Sequence, residues 1–76
     1  MEEKLLNVFR SVFNEVNPEE ITLESEFREW DQYSSLTQVQ LIEEIAERLG
    51  TKIRLRPFIK AETIGDVLEI INEKDG

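Results

Sequence analysis

No cysteine and no histidine occur in the 76 residues. The first absence excludes disulfides and thiolate metal sites. The second removes the imidazole base, the Ser-His and Cys-His nucleophile pairs and any His-ligated metal. Carboxylates are plentiful, but one domain of this size could hardly enclose a water-excluding pocket around a pair of them. A non-catalytic protein is expected. Basic charge is also scarce, with 9 Lys and Arg against 17 Asp and Glu, a net charge of −8. That balance argues against nucleic acid, whose phosphates would be repelled. It favours a soluble protein steered towards basic partners. No apolar run approaches the length of a membrane span. The opening stretch MEEKLLNVF lacks the basic start and apolar stretch of a signal peptide, so a cytoplasmic location is the expectation.

What remains is a single small domain, 1–76, near the size at which one core suffices without staples. Leu5, Val8, Phe9, Val12, Phe13 and Val16 recur at three- and four-residue intervals, which predicts an amphipathic helix over 3–16. Asn17-Pro18 should end it, because the residue before proline is pushed out of the α region. Residues 17–34 then form a long connection. Ile21, Leu23, Phe27, Trp30 and Tyr33 supply too much apolar material for a disordered linker, so the loop should be pinned to the core by Ile21, Leu23 and Phe27.

A second helix is predicted from Ser35 to Leu49, with Leu36, Val39, Ile42, Ile45, Ala46 and Leu49 as its inner stripe and Gly50 as its C-terminal cap. In TKIRLRPFIK, residues 51–60, the alternation is briefly strand-like, but a lone short strand is unstable. Pro57 reads better as the first position of a helical turn around Phe58-Ile59. A last helix starts at Thr63, where Thr63 and Asp66 have the spacing of a capping box, and Ile64, Val67, Leu68 and Ile71 face inwards. The core should hold Phe27, Ile42, Ile45, Ile53, Val67 and Leu68. The sum is an all-α bundle of three main helices and one short helix, with a long structured loop between the first two.

Chemistry, if any, sits where SSLTQVQLIEEIAERLG begins, at the two adjacent serines 34 and 35. One serine suffices to cap the helix, stabilising it by roughly 1 kcal/mol. The second hydroxyl then lies in the first turn, facing solvent. Free amides and a partial positive charge at that end could hold a phosphate. The spacing permits such a group without requiring one.

The segment from Phe27 to Gly50 resembles the acyl carrier protein family. Ser35-Leu36 matches the serine-leucine pair at the start of that family's second helix. Val39, Leu41 and Ile42 follow at the family spacing, and Phe27 lies eight residues before Ser35, at the place of the loop-anchoring phenylalanine. Ile53 and AETIGDVLEII, residues 61–71, resemble the family's third and fourth helices, so the likeness covers nearly the whole chain. It implies 4′-phosphopantetheine esterified to Ser35, carrying acyl groups as thioesters, and so supplies the thiol that the chain lacks. It also implies a phosphopantetheinyl transferase, using coenzyme A and magnesium, and acyl-loading and acyl-processing enzymes with basic docking surfaces. Leu36, Val39, Glu43, Glu44 and Glu47 are the implied docking residues, on a domain expected to be monomeric.

Several positions depart from the family pattern. Gln32 replaces its usual glycine and Ser34 the usual aspartate. Thr37, Gln38 and Gln40 stand where acids are common, and Glu43 where an exposed methionine often lies. These departures suit a specialised carrier more than a housekeeping fatty-acid carrier. A carrier of aminoacyl groups and an unmodified interaction module of the same fold stay open beside it. Lys52, Arg54, Arg56 and Lys60 form a basic island in a stretch, 48–61, without an acid. It serves either as an internal counterweight or as a partner-specific surface. Trp30 and Tyr33 flank the serines, as loop anchors or as contacts beside the arm.

Overall fold

The computed structural model describes residues 1–75. Four α-helices follow one another: α1, Glu2–Val12; α2, Ser35–Leu49; α3, Leu55–Lys60; and α4, Ile64–Asp75. Two single 3-10 turns, Pro18–Glu20 and Phe27–Glu29, punctuate the loop between α1 and α2. This is the expected all-α bundle, and no strand occurs among the described residues.

The core is built by α1, α2 and α4 around aromatic side chains. Leu5, Val8, Phe9, Leu41, Ile45, Ile64, Val67 and Ile71 are fully buried, together with Phe13, Phe27 and Phe58. The Phe27 ring meets Phe9 edge-on at 5.1 Å and lies 6.0 Å from Phe58, so one loop residue touches both α1 and α3. Burying rings of this size contributes more than any other residue type in so small a domain. Ile42 and Leu68 were expected in this core. They are only partly buried and pack against its edge.

Helix α1 ends at Val12, four residues before the expected limit. Proline 18 marks only the last place a helix could reach. Phe13 leaves helical geometry (φ −101°, ψ 63°) with its ring against Phe9 and Trp30. The freed backbone is then taken up by the loop. Gln32 accepts the Glu15 amide at 2.9 Å and donates to the Asn14 side chain at 3.4 Å.

The long loop is pinned as expected by buried Ile21 and Phe27 and partly buried Leu23. Its backbone also serves α4. The first two amides of that helix, Ile64 and Gly65, donate to the carbonyls of Ser25 (3.2 Å) and Leu23 (2.7 Å). Helix starts leave such amides without intrahelical acceptors, and here the loop supplies them. A side chain at Gly65 would bring its Cβ within 3.1 Å of the Leu23 oxygen, so glycine permits the crossing. Thr63 and Asp66 form the expected reciprocal cap, with each side chain bonded to the other's amide at 3.2 Å.

Helix α3 begins two residues earlier than expected, which puts Pro57 at its third position. Proline is tolerated there because an amide in the first turn would have no helical acceptor. Helix α2 has the expected bounds, and Gly50 caps it in the left-handed region (φ 70°). Its inner face differs from expectation. Leu41 and Ile45 are buried, whereas Leu36 and Val39 are 66% and 49% exposed. The apolar spacing fits two stripes of this helix, and only the one through Leu41 and Ile45 meets α1.

Candidate functional site

The head of α2 is shaped by Ser34. Its side chain accepts the Thr37 amide at 3.3 Å, while Thr37 Oγ1 accepts the Ser34 amide at 2.7 Å. Both serine 34 roles are thus structural, as the N-cap of a closed capping box. Ser35 stands at the first helical position and is exposed. Its hydroxyl holds no hydrogen bond among the described residues, nor do the amides of Ser35 and Leu36 find an acceptor there. The first turn carries no acid. A phosphate ester on Ser35 would therefore meet open amides and the positive end of a 15-residue helix, with no carboxylate in that turn to repel it.

From Ser35 the helix presents Leu36, Val39, Glu43 and Glu47, all exposed. Their spacing of three and four residues puts them in one outward stripe opposite Leu41 and Ile45. Glu44 lies to one side. It is half-buried, pairs with Arg48 at 3.2 Å, and borders the groove between α1 and α2 with Ser11, Val12 and Asn14. The two exposed leucine and valine side chains nearest Ser35 and the two acids beyond them make an apolar spot with an acidic rim.

The support beneath Ser35 comes from a residue whose role the sequence did not reveal. Arg28, on the second 3-10 turn, donates from Nε to the Ala61 carbonyl at 2.6 Å and from Nη2 to the Phe58 carbonyl. These oxygens lie at the end of α3, whose carbonyls attract a cation, and that of Phe58 also accepts the Ala61 amide at 3.1 Å. Its Nη1 donates to the Tyr33 hydroxyl at 2.9 Å, which donates in turn to Gln38 Oε1 at 2.6 Å. The guanidinium also lies 5.4, 5.5 and 5.8 Å from the ring centres of Phe27, Tyr33 and Phe58. Each of the three guanidinium nitrogens thus donates a hydrogen bond, and together they tie the loop, the end of α3 and the first turn of α2. Tyr33 belongs to this tie, while Trp30 anchors the loop edge-on to Phe13 at 4.9 Å.

The basic island is divided between the end of the 50–54 connection and α3. Lys52, Arg54, Arg56 and Lys60 are all exposed. Two carboxylates are perturbed elsewhere. Hydrogen bonds from the amides of Glu62 and Thr63 hold Asp66 below the usual range. Glu26 is raised, first by its hydrogen bond with Glu29 and then by the charge of that neighbour. Neither lies at the head of α2.

The family model described as phosphopantetheine attachment site matches residues 3–71. No curated protein matches the chain significantly. No helix among the described residues is long and apolar enough to cross a membrane.

Proposed function

Because this chain belongs to the phosphopantetheine-binding carrier family, whose members are non-catalytic and bear a covalent 4′-phosphopantetheine arm, we propose that it carries acyl groups on Ser35 for the enzymes of one dedicated pathway. The observation that carries the assignment to Ser35 is its exposed, unbonded hydroxyl at the first position of α2, beside a Ser34 already committed to the cap.

When bound, the arm supplies a terminal thiol on which cargo is held as a thioester. The chain's own residues orient and present it. Ser34 and Thr37 fix the first turn, and the amides of Ser35 and Leu36 face the phosphate position. The Arg28–Tyr33–Gln38 tie holds that turn against the rest of the domain. Leu36 and Val39 offer a small apolar contact beside the attachment point, while Glu43 and Glu47, with Glu44 at the rim, draw basic enzyme surfaces. Weak, fast and electrostatically steered docking suits a carrier whose tethered cargo already reaches each enzyme at high effective concentration.

Three features favour a specialised carrier, and a fourth, the overall acidity, favours acyl cargo. The first two turns of α2, residues 35–42, have Thr37, Gln38 and Gln40 and no acid. Glu43 extends the acidic stripe, and Ser34 removes an acidic contact with the modifying enzyme. The chain as a whole stays strongly acidic. Incubation with a broad-specificity phosphopantetheinyl transferase, coenzyme A and magnesium, followed by intact mass, tests the proposal. A pantetheine-sized increase that disappears in Ser35→Ala is expected. No increase with several transferases would favour an unmodified interaction module. Trapping the loaded protein from cells then separates acyl from aminoacyl cargo.

A further inference from the structure

Helix α3 is six residues long and fully buries one side chain, Phe58. Its other face is unusually furnished for a surface helix. Leu55 and Ile59, one turn apart, are each 50% exposed. Arg56 and Lys60, also one turn apart, flank them along the same outward side. Arg54 precedes the helix. No carboxylate lies within ion-pair distance of Arg54, Arg56 or Lys60 among the described residues. In a chain of net charge −8 this is notable, because seventeen acids compete for nine bases. An internal counterweight would place these cations against α2 carboxylates. Instead Glu44 is paired with Arg48, and Glu43 and Glu47 point outward.

We propose that the outward face of α3 is a second docking surface, which binds an acidic amphipathic segment of a client protein. Leu55 and Ile59 would receive the segment's apolar side chains, and Arg54, Arg56 and Lys60 its carboxylates. Charge complementarity selects this occupant. A nucleic acid would meet the repulsion of the whole chain, whereas a short acidic helix meets only the local field. The face lies close to the cargo site, since Arg28 binds the last carbonyls of α3 and, through Tyr33 and Gln38, the first turn of α2. The domain thus offers a partner an acidic patch on α2 and a basic patch on α3. A client that carries the opposite signs can seat in one orientation only, and a client with a purely basic surface is disfavoured at α3.

The identity of the occupant as a client rests on the carrier reading, but the surface itself does not. The test uses the isotope-labelled full chain and two synthetic amphipathic peptides, one of leucine and glutamate and one of leucine and lysine. The acidic peptide should shift the backbone amides of residues 54–56 and 58–60, and the basic peptide those of the α2 stripe. The double variant Arg56→Glu, Lys60→Glu should weaken the acidic peptide by about tenfold. Ser35→Ala should bind it as well as the wild type does. Intact mass after transferase treatment is read separately, so a chain that cannot be loaded is distinguished from a face that does not bind. The proposal is overturned if residues 54–60 do not move, if the double variant binds unchanged, or if these amides shift with protein concentration alone, which would mean self-association.

Discussion

Arg28 and Tyr33 meet at 2.9 Å, guanidinium to phenol oxygen, and at that bond the loop, the end of α3 and the head of α2 are joined. Five residues separate them in sequence, yet the other partners of Arg28 lie thirty and thirty-three residues away. Long-range ties of this kind decide how firmly a small helical domain holds its serine.

Removing the tie should be costly. Arg28→Ala leaves two carbonyls of α3 without their charged donor and is expected to lose on the order of 3 kcal/mol. Arg28→Lys should recover less than half of that, because one ammonium cannot span two carbonyls and a phenol as the planar fork does. Urea denaturation of the three proteins measures this. A lysine variant as stable as the wild type would show that charge alone matters at this position.

The cap and the prosthetic group can be separated at Ser34. Ser34→Ala should cost about 1 kcal/mol by opening the capping box. Ser34→Asp keeps an acceptor for the Thr37 amide and adds a favourable charge at the helix start, so its melting temperature should equal or exceed that of the wild type. It should also be loaded faster by a transferase that reads an acid there. An unchanged loading rate would show that the serine in the aspartate's place does not limit modification.

Two carboxylates should give pH effects of opposite sign. The folded-state pKa of Asp66 is lowered, so its contribution is present above the unfolded value and is lost as pH falls through the folded one. Asp66→Asn should therefore be less stable than the wild type at neutral pH, with the deficit closing in acid. Glu26 is raised by Glu29, so its favourable state is the protonated one, present below the unfolded value and lost as pH rises through the folded one. Glu26→Gln should be more stable at neutral pH, and that gain should vanish in acid. Melting temperatures from about pH 7 to about pH 3 follow both.

Gly50 offers a purely conformational test. Its φ is 70°, and a Cβ there would touch nothing within 4 Å. Gly50→Ala should nonetheless cost about 1 kcal/mol, since only the backbone penalty is felt. Gly50→Asn should lose less. Thermal melts of the two variants check the order.

Much of this was legible in the sequence because it is local. Ser34, Gly50, Thr63 and Asp66 mark helix ends through bonds made within a few residues, and they predicted α2 and the start of α4 closely. The end of α1 was not legible. It depends on Phe13 meeting Trp30, seventeen residues on, and on Gln32 reaching the Glu15 amide. The outward turn of Leu36 and Val39 was hidden from the periodicity, because leucine and valine at helical spacing read as core. Only the family resemblance set them apart, as docking residues. Arg28 carried no local signal, since a lone arginine in an acidic loop looks like solvated charge.

Trp30 is the chain's sole indole, held edge-on to Phe13 where the long loop closes over the end of the first helix. The molecule therefore carries its own optical reporter, placed on the segment that leads to the attachment point. Emission from this ring would register loosening of the loop even while circular dichroism still records intact helices. Any lag between the two signals would time that event without a label.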